Sequence, residues 1–228
     1  MNQKSMNFLY GDRELIIKVA DLLLEKVDVI VNSTNQRLTH DQGLAAKINK
    51  AAGRELQQQS NRLITEYGTI ESGMAVYTDS FELDFKAIIH TVGPQMGEGE
   101  EQHKIEQSVA RSMLLCETND WRSIAFPAIS TGGSQVPVEI CAQAFFRSII
   151  SFWDARNECS VEKIVICLSE AHFPIFFDAF REDAISQVDN INEKAQVKDE
   201  AEEVIGYISL SEDEQKNLDD DDLSDWFK

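Results

Sequence analysis

Apolar and polar positions along this chain alternate between two rhythms. The runs Leu15-Ile16-Ile17-Lys18-Val19, Val27-Asp28-Val29-Ile30-Val31, Ala75-Val76-Tyr77, Ala87-Ile88-Ile89-His90, Ser123-Ile124-Ala125-Phe126 and Lys163 to Leu168 are rich in β-branched residues and predict strands. Several are apolar throughout, which implies a sheet covered on both faces. Between them the apolar residues recur at helical spacing. Leu44, Ala45, Ile48, Ala51 and Ala52 form one face, closed by Gly53 as the C-terminal stop. Ile105, Val109, Met113 and Cys116 form a second, Val138, Cys141, Phe145, Ile149 and Phe152 a third, and Phe173, Phe176, Phe177 and Phe180 a fourth. Strands alternating with helices in this way imply a three-layer α/β/α sandwich.

The core rhythm stops near Asp189. Residues 1–188 therefore read as one domain and 189–228 as an acidic, largely disordered tail. Two apolar islands interrupt the tail, Val204 to Leu210 and Leu223-Ser224-Asp225-Trp226-Phe227, and acid around apolar islands suggests a short segment that binds a protein partner. The formal charge is −19, and the tail carries about half of it. With so much acid and no basic stripe, direct nucleic-acid binding is not expected. A small anionic ligand is still compatible, because aimed backbone N–H groups act over a few ångströms while the field of the tail is screened beyond about 10 Å.

The four cysteines, Cys116, Cys141, Cys159 and Cys167, form no CxxC pair and read as small buried hydrophobes. No window approaches the roughly 20 apolar residues of a membrane span, and the N-terminus lacks an apolar signal core, so an intracellular chain with no membrane partner is expected. No His/Cys spacing suggests a metal, and no cofactor is called for.

Two segments carry candidate chemistry. In the first, the Val27–Val31 run breaks into Asn32-Ser33-Thr34-Asn35 and then, through His40, into a helix that opens at Gly43. Asn32 and Asn35 can each donate and accept through one amide, which suits ribose hydroxyls. A glycine at a helix start lets backbone N–H groups approach a phosphate. The same residue types also serve as ordinary turn and cap residues. In the second, Pro127-Ala128-Ile129-Ser130-Thr131-Gly132-Gly133-Ser134 repeats the design of strand, small-residue turn and helix start. Two such loops could clamp a pyrophosphate from both sides.

Together with their flanks these segments resemble a known family. VDVIVNSTN, GLAAKINKAAG, AIIHTVGP and SIAFPAISTG, in this order and spacing, are similar to macro domains, most closely the macro modules attached to some animal ADP-ribosyltransferases. The resemblance covers roughly Phe8 to Ala184. It implies a mixed, mostly parallel sheet of six or seven strands between helices, and ADP-ribose, free or on modified proteins, as the ligand. Asp21 then matches the family's adenine-binding aspartate, with Leu22 supplying a backbone N–H. Asn35 matches the asparagine that meets the distal ribose, and Asn32 helps to shape that loop. Gly43, Leu44 and Ala45 would supply the N–H groups of the first loop, and Ser130, Thr131, Gly132, Gly133 and Ser134 the second. Leu168 lies where many relatives meet the adenine.

The departures from the pattern bear on catalysis. One hydrolytic subgroup has an aspartate where this chain has Ala45. Another has a histidine five residues after the asparagine, the spacing of His40, but follows it with glycines where Asp41 and Gln42 stand here. The family's glycine–aliphatic–aromatic–glycine run appears as Gly132-Gly133-Ser134-Gln135. The resemblance thus implies an ADP-ribose-binding module. Its alternative is a mono-ADP-ribosylhydrolase acting on acidic side chains, with Asn35 and His40 as the catalytic pair.

Overall fold

The computed structural model describes residues 4–156, 158–190, 197–200 and 203–208. Nine strands share one sheet: β1 (Ser5–Tyr10), β2 (Arg13–Val19), β3 (Val29–Ser33), β4 (Ala75–Thr78), β5 (Ala87–Thr91), β6 (Ser123–Pro127), β7 (Lys163–Leu168), β8 (Val197–Glu200) and β9 (Glu203–Ile208). Their order is β4-β5-β3-β6-β7-β2-β1-β9-β8. From β5 to β2 every pair is parallel, while β4 and β1 run antiparallel to their inner neighbours. The mixed, mostly parallel seven-strand sheet ends at β1. Beyond it the β8–β9 hairpin continues the pairing, from Ser5 opposite Glu203 to Tyr10 opposite Ile208.

The helices are α1 (Gly43–Ala52), α2 (Arg54–Tyr67), α3 (Glu101–Thr118), α4 (Val138–Asp154) and α5 (Phe173–Asn190). Alternate residues of each central strand feed opposite cores, as the period of two requires. Val29, Val31, Ile89, Ile124, Phe126, Ile164 and Ile166 pack with residues of α3, α4 and α5. Ile30, Ile88, Ala125, Val165 and Cys167 pack with Ile48, Ala52 and Leu56 of α1 and α2. Two buried faces explain why the strands show no polar alternation in sequence.

The structure moves two boundaries and adds three strands and a helix. The Val27–Val31 run starts its strand at Val29, and β1 precedes all the expected strands. Helix α2 begins directly after the Gly53 stop, where φ is +91°, so the glycine turns the chain between two helices. Its inner face is Leu56, Ser60, Leu63 and Ile64, an apolar stripe interrupted by the buried serine. In the segment assigned to the acidic tail, α5 runs on to Asn190, and β9 falls on the first apolar island. The Leu223–Phe227 island lies outside the described residues. All four cysteines are free and buried, and among the described residues no helix is long and apolar enough to cross a membrane.

At the lower end of β3, Asp28 ties three strands together. Its Oδ2 accepts from the N–H groups of Arg122 (2.7 Å) and Ser123 (3.3 Å), and its Oδ1 pairs with Lys86 Nζ at 2.9 Å. Burial opposes ionisation here, but Lys86 and the two N–H groups outweigh it and hold the carboxyl below the usual carboxylate range. We expect Asp28→Ala to lower the unfolding free energy by about 2 kcal/mol, because it strips a charged acceptor from two backbone donors. Urea denaturation checks this, and an unshifted midpoint would refute it.

Candidate functional site

Strands β3, β6 and β7 all finish at one edge of the sheet, and their chains leave it around a cleft of about 960 Å³. This is where open α/β sheets place ligands. At the β2–β7 side the cleft is lined by Asp21, Leu22, Leu168, Ser169 and His172. At the β3–β5 side it is lined by Asn35, Gln36, Thr39, Ser72, Gln95 and Glu98. Between them, Gly43, Leu44 and Ala45 of α1 and the run Ser130–Ser134 line the same space.

The backbone prepares two donor walls. Gly43 opens α1 at φ +54°, and Gln42, the residue before it, contributes no side-chain cap. Helix-start N–H groups without a cap seek an acceptor from outside the helix. In the second wall Ser130 sits at φ +62°, Gln135 N–H donates to the Gly132 carbonyl, and Met96 N–H donates to Ser134 O. A Cβ on Gly132 or Gly133 would meet nothing within 4 Å, so packing does not require these glycines. Their use is to keep the wall low toward the cleft. Gly93 is different: a Cβ there would lie 2.1 Å from Ser130 Oγ, so it lets the second loop close on the turn after β5.

Asp21 Oδ1 accepts from Leu23 N–H at 3.1 Å and starts a short 3-10 turn, Leu22–Leu24, which presents Leu22 at the cleft. Asn35 faces the cleft, but its amide is already engaged in its own loop. Oδ1 accepts from Arg37 and Thr39 N–H, and Nδ2 donates to Thr39. A ligand hydroxyl at this end must compete with, or share, those bonds.

Two of the expected site residues lie behind the wall instead of in it. Asn32 is fully buried and His40 is 3% exposed, and neither lines the cleft. His40 Nδ1 faces Asn32 Nδ2 at 3.2 Å and Nε2 faces Ser60 Oγ at 2.9 Å. Burial pushes the His40 imidazole down to about 4, against a smaller opposing effect of Asp41. A ring buried behind the wall, with both nitrogens facing Asn32 and Ser60, does not reach a water in the cleft.

Sequence reasoning missed Lys47, Ser72, Gln95, Glu98 and His172, all of which line the cleft. Lys47 lies one turn inside α1, on the same face as Leu44, and helical spacing would have found it. The other four come from segments far apart in sequence, and only folding joins them. Glu98 is held ionised: burial opposes this, but bonds from Gln95 N–H, Ser72 and Lys104 prevail. Among the described residues no group of three His, Cys, Asp or Glu is placed to hold a metal ion.

Comparison with known proteins agrees with this geometry. Residues 31–145 match the sequence model of the Macro domain. The chain belongs to the macro domain family. This macro domain is 34% identical over 174 residues to an uncharacterised protein of Thermotoga maritima and 32% identical over 172 residues to the human protein mono-ADP-ribosyltransferase PARP14, covering 75% and 73% of this chain. It spans only 29% and 10% of those two proteins. It is 38% identical over 134 residues to the O-acetyl-ADP-ribose deacetylase of Salmonella typhimurium, covering 58% of this chain and 75% of that protein. The Oceanobacillus iheyensis macrodomain solved with ADP superposes with a TM-score of 0.76 at 27% identity, over 82% of this chain and all of that one.

His40 and His90 are both buried and both held below the usual imidazole range by burial, so acid sensitivity is expected of this domain. A histidine whose folded pKa lies below its unfolded value of 6.5 binds fewer protons in the native state than in the unfolded chain. Stability should therefore fall as pH drops from 6.5 toward 4. In thermal denaturation across that window, we expect His40→Gln to lose less than the parent protein. An equal loss would remove His40 as a cause.

Proposed function

We propose that this macro domain binds ADP-ribose, free or attached to protein. The observation that carries the reading is that the uncapped start of α1 and the Ser130–Ser134 turn line one cleft. Among the described residues lining the cleft, the carboxylates Asp21, Asp41 and Glu98 outnumber the single lysine, Lys47. A diphosphate is then held by backbone N–H groups more than by side-chain cations. Asp21 takes the adenine amino group beside Leu22 and Leu168, and Asn35 meets the distal ribose. The Oceanobacillus iheyensis macrodomain solved with ADP, and a mutant of it solved with ADPR, support this class of ligand.

The second reading is hydrolysis of an ADP-ribose linkage, which the identity to an O-acetyl-ADP-ribose deacetylase favours. For ADP-ribose on an acidic side chain, a water attacks the anomeric carbon beside Asn35 as the bond from that carbon to the carboxylate oxygen breaks, the carboxylate leaves and the water's proton passes to solvent; His40 acts only through the loop it anchors. Release of ADP-ribose from an auto-modified transferase, abolished by Asn35→Ala, is its expected signature. No release at enzyme excess excludes it.

Binding is tested by calorimetry and by melting. Saturating ADP-ribose should raise the melting temperature, about 2.7 kcal/mol of stabilisation being expected at a hundred times Kd. Loss of the adenine contact in Asp21→Ala should weaken binding about tenfold, the worth of one charge-assisted hydrogen bond. Asp41 stands two residues before the helix start, so Asp41→Ala should tighten binding by about three- to tenfold through relief of repulsion on the order of 1 kcal/mol. Absence of a melting shift with millimolar ADP-ribose would overturn the reading.

A further inference from the structure

Behind the first loop a row of polar side chains crosses an otherwise apolar part of the molecule. Strand register sets Asn32 of β3 opposite His90 of β5. Asn32 Nδ2 lies 3.1 Å from His90 Nδ1 and 3.2 Å from His40 Nδ1. The two imidazoles stack with centroids 4.9 Å apart. His90 Nε2 reaches Thr78 Oγ1 on the edge strand β4 at 2.9 Å, and His40 Nε2 reaches Ser60 Oγ on α2 at 2.9 Å. Asn32, Ser60, Thr78 and His90 are fully buried.

With Asn32 Nδ2 set between the two rings, the amide Oδ1 is left buried without a hydrogen-bond partner, and the protons of the row follow from that placement. An amide NH2 offers two hydrogens and accepts none, so both Nδ1 atoms accept from Asn32 and both rings carry their proton on Nε2. Those protons go to the Thr78 and Ser60 oxygens, and the Thr78 hydroxyl donates to the Asp79 carbonyl. Reversing any ring sets donor against donor in a buried layer, which is costly. The network ends on His40, whose main chain is held as well. Its N–H donates to Gln57 Oε1 of α2, and its carbonyl accepts from Asn49 Nδ2 of α1. His40, together with Leu38 and Gln36, whose carbonyls accept from Gln57 Nε2 and Ile70 N–H, thus fastens the loop that carries Asn35, Thr39 and Asp41 to the cleft.

We propose that His90, backed by Thr78, is a positioning residue for the ligand: through the two-pronged amide of Asn32 it fixes the His40 ring, and through His40 the first loop. This rests on the reading of the cleft as an ADP-ribose site. A histidine that only filled the core would, once lost, weaken all ligands alike. A positioning histidine costs only those ligands that extend to the first loop. AMP spans the adenine half, at Asp21, Leu22 and Leu168, whereas ADP-ribose extends to Asn35.

The test compares His90→Leu, which removes both ring nitrogens, with His90→Gln, whose amide oxygen can still accept from Asn32. In calorimetry, His90→Leu should weaken ADP-ribose about tenfold, the scale of one buried hydrogen bond, with AMP changed by less than about twofold. His90→Gln should recover most of the ADP-ribose affinity. Thr78→Val, which deprives His90 Nε2–H of its acceptor with little change of shape, should shift affinity in the same direction and covers the case of a His90→Leu that fails to fold. Without any ligand, nitrogen NMR should find His40 and His90 protonated on Nε2 alone at pH 7. Hydrogen exchange at the Leu38 and His40 amides should be faster in Thr78→Val. Equal weakening of AMP and ADP-ribose, or an Nδ1 proton on either ring, overturns the proposal. Failure of the parent protein to bind ADP-ribose, with the tautomers and exchange as stated, would instead overturn the binding reading alone.

Discussion

Parallel pairing is the constraint on which the rest depends. Strands β5, β3, β6, β7 and β2 point the same way, so their chains leave the sheet at one edge and each must turn into a helix or loop there. Backbone donors at such turns must find acceptors. The α1 start and the Ser130–Ser134 turn line one shared cleft. Asp28 does the opposite service at the other end of β3, where a carboxylate of the protein itself satisfies the N–H groups of Arg122 and Ser123.

The acidity of the chain bears on what that cleft can do. Asp21, Asp41 and Glu98 among its lining residues work against an anion, and Lys47 is a single countercharge. Recognition by backbone dipoles resolves this conflict, because they act at hydrogen-bond range and are fixed before the ligand arrives. Fixing them is the task of the layer beneath. Gln57 and Ser60 of α2, Asn49 of α1 and Asn32 of β3 spend their polar groups on the first loop, which is also why the apolar stripe of α2 is interrupted.

Much of the fold was legible from the sequence. Period-two and apolar runs marked six strands because each strand feeds two cores, and the helices α1, α3, α4 and α5 showed as faces of spacing three and four. Strand β1 and helix α2 were not legible. β1 spans only six residues, and Ser60 interrupts the apolar face of α2. Within the site, Asn35, the Gly43–Ala45 start and Ser130–Ser134 were named from the two loop segments, and Asp21, Leu22 and Leu168 from the resemblance to macro domains; the structure brings them to one cleft.

His40 marks the limit of such reading. Its distance in sequence from Asn35 was informative about the loop it belongs to, but the direction of its ring was not encoded in that spacing. Whether an imidazole faces water or core depends on which partners surround it, and Asn32, Ser60 and His90 arrive from three different elements. The sequence by itself determined the strand and helix order and the chemistry of the two loops, because periodicity and turn residues act locally. Only tertiary structure decided which side chains meet the ligand space and which hold it from behind, because burial and proton placement depend on neighbours that the chain brings together from a distance.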